Sequence, residues 1–156
     1  MNKLDSIDDF LAEIEGHIKD KDKFAPKVSQ RTIGWQLHHT LMVITSISNA
    51  VSQSDPSKKE GKSNMTWFII KTLNKIPRGK GKAPKITTTE DPISLQDLES
   101  KVKKARDSWK LILKAGHDQY FKHPVFGILN TKNAKKMIHI HTEHHLKIVR
   151  DIIKNN

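Results

Sequence analysis

The chain has 156 residues, with 28 Lys and Arg against 17 Asp and Glu, and carries a net charge of +11 before its nine His are counted. Apolar residues at 35% suffice for one buried core in a single domain spanning 1–156, which excludes a wholly disordered chain. There is no cysteine, so disulfides, thiolate zinc knuckles, iron–sulfur clusters and cysteine nucleophiles are excluded, and any metal must be held by His, carboxylate or water.

Met1–Asp9 has neither the basic start nor the apolar run of a signal peptide, and no later stretch reaches the roughly 18 apolar residues of a membrane span. A cytoplasmic protein without a membrane partner is therefore expected. Leu4, Ile7, Leu11, Ile14 and Ile18 recur at 3, 4, 3, 4, which lines one side of a helix from about Leu4 to Asp22. Ser29 is placed to cap a second helix, from about Gln30 to Gln53, whose core line is Ile33, Leu37, Leu41, Ile44, Ile47 and Val51. Trp35, Met42, Val43 and Ala50 widen its apolar arc and predict burial on more than one side.

A polar stretch with the turn signal Asp55-Pro56-Ser57 leads to a short helix from Met65 to Ile76, carrying Trp67, Ile70 and Leu73. Residues 77–93 then form a basic loop, whose glycines lack the Gly-x4-Gly-Lys-[Ser/Thr] spacing that wraps backbone amides around a phosphate. Ser94 precedes the most regular heptad of the chain, Leu95, Leu98, Val102, Ala105, Trp109 and Ile112, with Asp97 favouring the helix start and Gly116 available to end it. Residues 117–130 are expected as a loop, with no strand alternation or hairpin signal. Asn130 or Thr131 caps a last helix reaching about Lys154. Four long helices, with a short one between the second and third of them, predict an all-α four-helix bundle.

The last helix carries His139, His141, His144 and His145, and its apolar line tells them apart. Ala134, Ile138, His141, His145, Ile148 and Ile152 recur at 4, 3, 4, 3, 4, so two histidines occupy the core seam. At about 100° per residue, His141 and His145 lie within about 20° of the seam centre, His144 about 80° to one flank and His139 on the far side. Imidazoles at i and i+4 rise one turn apart and can share a cation about 2 Å from each nitrogen. A third ligand must come from elsewhere, and the alternative is a buried polar network in which each neutral ring needs its donor and acceptor satisfied. Helix two offers the adjacent His38 and His39, which point about 100° apart; periodicity does not choose between them.

The stretch Thr32-Ile33-Gly34-Trp35-Gln36-Leu37-His38-His39, the loop His123-Pro124-Val125-Phe126-Gly127 and the closing His141-Thr142-Glu143-His144-His145-Leu146 resemble, in order and spacing, the DinB-like metalloenzyme superfamily. The similarity spans nearly the whole chain and is greatest to a branch marked by a His-Pro-x-Phe-Gly loop before the last helix. It implies a four-helix bundle holding a divalent metal through one His of helix two and a His-x3-His pair of the last helix. By position these are His39, His141 and His145, with His38 as the fallback for the first. Three His ligands leave a coordination position open, and Zn²⁺, Ni²⁺, Mn²⁺ and Fe²⁺ all suit imidazole.

The superfamily includes transferases and isomerases that use low-molecular-weight thiols and often forms dimers, so a small-molecule substrate, thiol-dependent transfer or metal-dependent hydrolysis, and a homodimer are the expectations it supplies. The chain departs from a zincin: Thr142 stands where the general-base Glu follows the first ligand, and Glu143 falls about 160° from the His pair, facing solvent. His123, His144 and His38 are candidates for contacts behind the ligands or in a pocket, with a loop-capping role favoured for His123. Trp35, Trp67, Trp109 and Phe126 are expected as core anchors, and His17 and His117 as surface or helix-end residues. The competing function is a metal-free helical module whose basic surface binds an acidic partner or nucleic acid, although a solvated lysine surface is the simpler account of the charge.

Overall fold

A computed structural model describes residues 6–79 and 92–156. The chain is mostly helical, with one small sheet, in the order α1 (Ile7–His17), α2 (Ile33–Gln53), α3 (Met65–Leu73), α4 (Leu95–Leu113), β1 (Tyr120–His123), β2 (Gly127–Asn130) and α5 (Thr131–Lys154). Helix α2 packs against both α4 and α5, and α1 against the same two helices. The core runs through Leu11, Ile14, Leu37, Leu41, Ile44, Leu98, Ile112, Ile138 and Leu146, all fully buried. Each such side chain contributes about 1.5–3 kcal/mol by leaving water. Most of α2 is buried, as its wide apolar arc predicts. Among the described residues, no helix is long and apolar enough to cross a membrane.

The helix ends are set by capping side chains. Ser6 and Asp9 form a reciprocal capping box, so α1 starts at Ile7; it gives way after His17 to a 3₁₀ turn, Ile18–Asp20, instead of running on as an α-helix to Asp22. Helix α2 starts at Ile33 because Thr32, and not Ser29, accepts from the Trp35 amide. Gly34 lets the turn after α1 approach: its N–H donates to the Lys21 carbonyl at 2.7 Å, and a Cβ there would lie 3.0 Å from the same oxygen. The short helix α3 ends at Leu73, three residues before the expected Ile76, because Asn74 turns left-handed at φ 51°. Helix α4 starts on Ser94 as predicted and ends before Gly116. Residues 80–91, most of the expected basic loop, lie outside the described residues, as does Leu4.

The segment expected as a plain loop is a β-hairpin. Tyr120, Phe121, Lys122 and His123 pair antiparallel with Asn130, Leu129, Ile128 and Gly127. Four-residue strands are too short to show alternation, and Pro124 hides the pattern by standing in the turn. Gly127 has φ 75°, and a Cβ there would lie 2.5 Å from the Lys62 carbonyl, so the motif glycine is required by both conformation and space. The Lys62–Asn64 segment closes on this edge through Ile128 N–H to Lys62 O and Asn64 N–H to Phe126 O. The Asn64 amide, which also caps α3, donates to the Val125 carbonyl.

Candidate metal centre

Helices α2 and α5 bring His39, His141 and His145 together, with one ring nitrogen of each within 4.8 Å of the others. The i, i+4 spacing on α5 brings the His141 and His145 rings to 4.5 Å between centroids, tilted by 53°. From α2, the His39 ring meets them at 5.0 and 4.8 Å. The His39 Nε2 and His141 Nε2 atoms are 3.1 Å apart. Two nitrogens each about 2.0–2.1 Å from one ion lie roughly 2.9 Å apart at a right angle and 3.3 Å apart at the tetrahedral angle, so the observed separation, which is also that of a hydrogen bond between the two rings, can accommodate a shared cation.

All three rings sit in the core, His39 and His145 buried and His141 partly so. Burial holds His141 and His145 well below the ordinary imidazole value, and the neighbouring His rings push in the same direction. His141 and His145 are therefore neutral at pH 7 and present lone pairs, the state a metal requires. The group contains no carboxylate. Glu143, expected to face solvent, is half-buried and held by Arg150 at 3.1 Å, whose guanidinium also binds Glu13 through two bonds of 2.7 Å. Thr142, at the position of the zincin base, is fully buried. Among the described residues, no carboxylate base joins the cluster.

Two residues behind the histidines, Gln36 and Trp35, were not assigned to the site from sequence. The buried Gln36 accepts a 2.6 Å hydrogen bond from His145 Nδ1, which leaves Nε2 of that ring as the lone-pair nitrogen, and its amide donates to Ser29 Oγ at 3.1 Å. Trp35 is a core residue as expected, yet one face of its indole stacks on His39 at 5.0 Å and 14°. Both were legible as spacing once His39 is chosen: Trp35 is one turn before it, and Gln36 three residues before it on the same side of the helix.

The remaining histidines separate cleanly. His38 points to α4, with Nε2 3.9 Å from Asp97, and burial lowers its pKa. The fallback ligand is thus turned away from the cluster. His123 closes the hairpin turn: its Nδ1 accepts from the Val125 and Phe126 amides, its ring stacks on Phe126, and burial lowers its pKa to about 4. His144 packs edge-on against His145 and faces a surface cleft of about 680 Å³ bordered by Ile76, Arg78 and Lys147. His139 lies against Phe10. His17 pairs with Glu13, and His117 is exposed beside Asp118. Trp67 and Phe126 are buried against each other, whereas Trp109 is half-buried at the edge of the core.

Comparison with protein-family models, curated proteins and solved structures finds no match to this chain. The functional reading therefore rests on the site.

Proposed function

We propose that this chain is a DinB-like four-helix-bundle protein, built from α1, α2, α4 and α5, that holds one divalent metal ion through His39, His141 and His145. The observation that carries the proposal is the convergence of three core imidazoles from two helices, with His141 and His145 held neutral by burial and the tautomer of His145 set by Gln36. The resemblance of the three motifs to that superfamily supports the same ligand set. Such an ion, with a coordination position left open, would supply Lewis acidity able to deprotonate a bound thiol or water.

The chain's own residues then have defined tasks. Trp35 shields one face of His39 from water, and Gln36 holds His145 in one orientation. Glu143, turned from the cluster by its place on α5, is paired with Arg150. Without a carboxylate base at the site, thiol-dependent transfer to a small-molecule substrate is favoured over hydrolysis, because a thiol bound to a metal ion needs no separate base to stay ionised.

Elemental analysis of untagged protein tests the metal. About one Zn²⁺, Ni²⁺, Mn²⁺ or Fe²⁺ per chain is expected, lost in His39→Ala, His141→Ala and His145→Ala and retained in His38→Ala and His139→Ala. A wild type that stays empty after incubation with each of the four ions would overturn the proposal.

A further inference from the structure

Helix α3 is held to the rest of the protein from one side. Trp67 and Ile70 are buried, while Met65, Phe68, Ile69 and Leu73 are 70%, 58%, 48% and 66% exposed. At about 100° per residue these four occupy one arc of roughly 140°, opposite Trp67. With whole side chains of about 150–250 Å², the exposed apolar area is on the order of 400 Å², at the level where a patch marks an interaction site.

Positive charge borders this ridge. Lys71 falls about 60° beyond Phe68 on the helix surface. It shares a cleft of about 770 Å³ with Lys132, Lys135 and Lys136 of α5, floored by Trp109 and Leu113 of α4. Among the described residues none of these four lysines forms an ion pair, whereas Lys101, Lys110 and Lys147 each have a carboxylate one turn away. The cleft's one acidic side chain is Asp8. Exposed Lys62 and Lys75 flank the two ends of α3.

We propose that the α3 ridge and the adjoining lysine cleft form one face that docks on an anionic phospholipid surface, the ridge entering the acyl boundary and the lysines meeting headgroup phosphates. A second copy of the chain would satisfy the ridge but set its Lys71 and cleft lysines near their own counterparts. A nucleic acid would satisfy the lysines and leave four large apolar groups against a phosphate backbone. An anionic lipid interface satisfies both, and the chain's net charge of +11 adds long-range attraction. The expectation of no membrane partner rested on the lack of a spanning stretch, and a helix lying in the interface does not need one.

The test is co-sedimentation of the full chain with phosphatidylcholine vesicles, with and without about one-third phosphatidylserine. Binding is expected to the anionic vesicles alone and to weaken with salt. Each lysine near the surface is worth roughly fivefold in partitioning, so Lys132→Ala/Lys136→Ala should lose at least about tenfold. Phe68→Ser/Leu73→Ser should lose as much. All four positions are at the surface or its edge, so circular dichroism and metal content should stay as in the wild type.

No binding to anionic vesicles at low ionic strength would overturn the proposal. Equal binding by the Phe68/Leu73 variant would overturn it too, by leaving the ridge idle. A wild-type dimer that this variant dissociates, with no vesicle binding, would assign the ridge to self-association. Salt-dependent binding of single-stranded RNA without vesicle binding would assign the lysines to nucleic acid.

Discussion

Replacing Gln36 with Leu removes the acceptor 2.6 Å from His145 Nδ1 while keeping the buried volume. A buried N–H left without an acceptor costs about 1–3 kcal/mol. In metal-free protein this appears as a lower Tm, by about 2–4 °C per kcal/mol for a chain of this size. Freed from Gln36, the ring can also adopt the other tautomer and rotate, and loss of such a partner behind a ligand costs about 10–100-fold in metal affinity. That range is about 1.4–2.8 kcal/mol.

The assay is competition for Zn²⁺ against a chelator of known affinity, with Co²⁺ absorption reporting the ligand geometry. Gln36→Glu, which restores an acceptor on the same stem, should recover tight binding and the wild-type spectrum. Ser29→Ala should act in the same direction as Gln36→Leu but more weakly, because it removes only the 3.1 Å bond that anchors the amide. A folded Gln36→Leu protein that binds metal as tightly as wild type, and melts with it, would refute the reasoning.

Three further outcomes follow from the geometry. Gly127→Ala should destabilise the protein by about 2 kcal/mol or more, measured by urea unfolding, because its φ of 75° and the Lys62 carbonyl 2.5 Å from the new Cβ both oppose a side chain. Asn74→Gly should stabilise it by a few tenths to about 1 kcal/mol, since the left-handed cap at φ 51° costs glycine nothing; a lower Tm would contradict that account.

His123 should impose a pH dependence. Its folded value of about 4 lies below the ordinary 6.5, so the neutral ring's contribution is complete above pH 6.5 and is lost as pH falls from there through 4. The loss is at most about 3 kcal/mol, reduced by partial exposure. His123→Asn keeps a turn acceptor without titrating, so the stability gap between wild type and variant should change across that window. A constant gap would contradict it.

The helical scaffold was legible because its signals are local. Leu11, Ile14, Leu98, Val102, Ile138 and Ile152 recur at helical spacing, and all of them are buried. The His141–His145 pair was legible for the same reason, standing in the apolar line of α5. Helix ends were read less well. Ser29 and Thr32 are both competent caps, and the choice falls to the backbone path that brings Lys21 against Gly34. The hairpin escaped because pairing between residues 120–123 and 127–130, tied to Lys62–Asn64, is a tertiary arrangement that four-residue strands do not announce.

The sequence by itself determined which residues can be interior and which imidazoles share a helix face, because helical periodicity depends only on positions a few residues apart. Tertiary structure decided what crosses between helices. It turned His39 and not His38 toward α5, set Gln36 against His145, and bound Arg150 of α5 to Glu13 of α1. Those choices depend on the rotation of α2 and its packing on α4 and α5, a global property that an all-round apolar helix does not encode in its own periodicity.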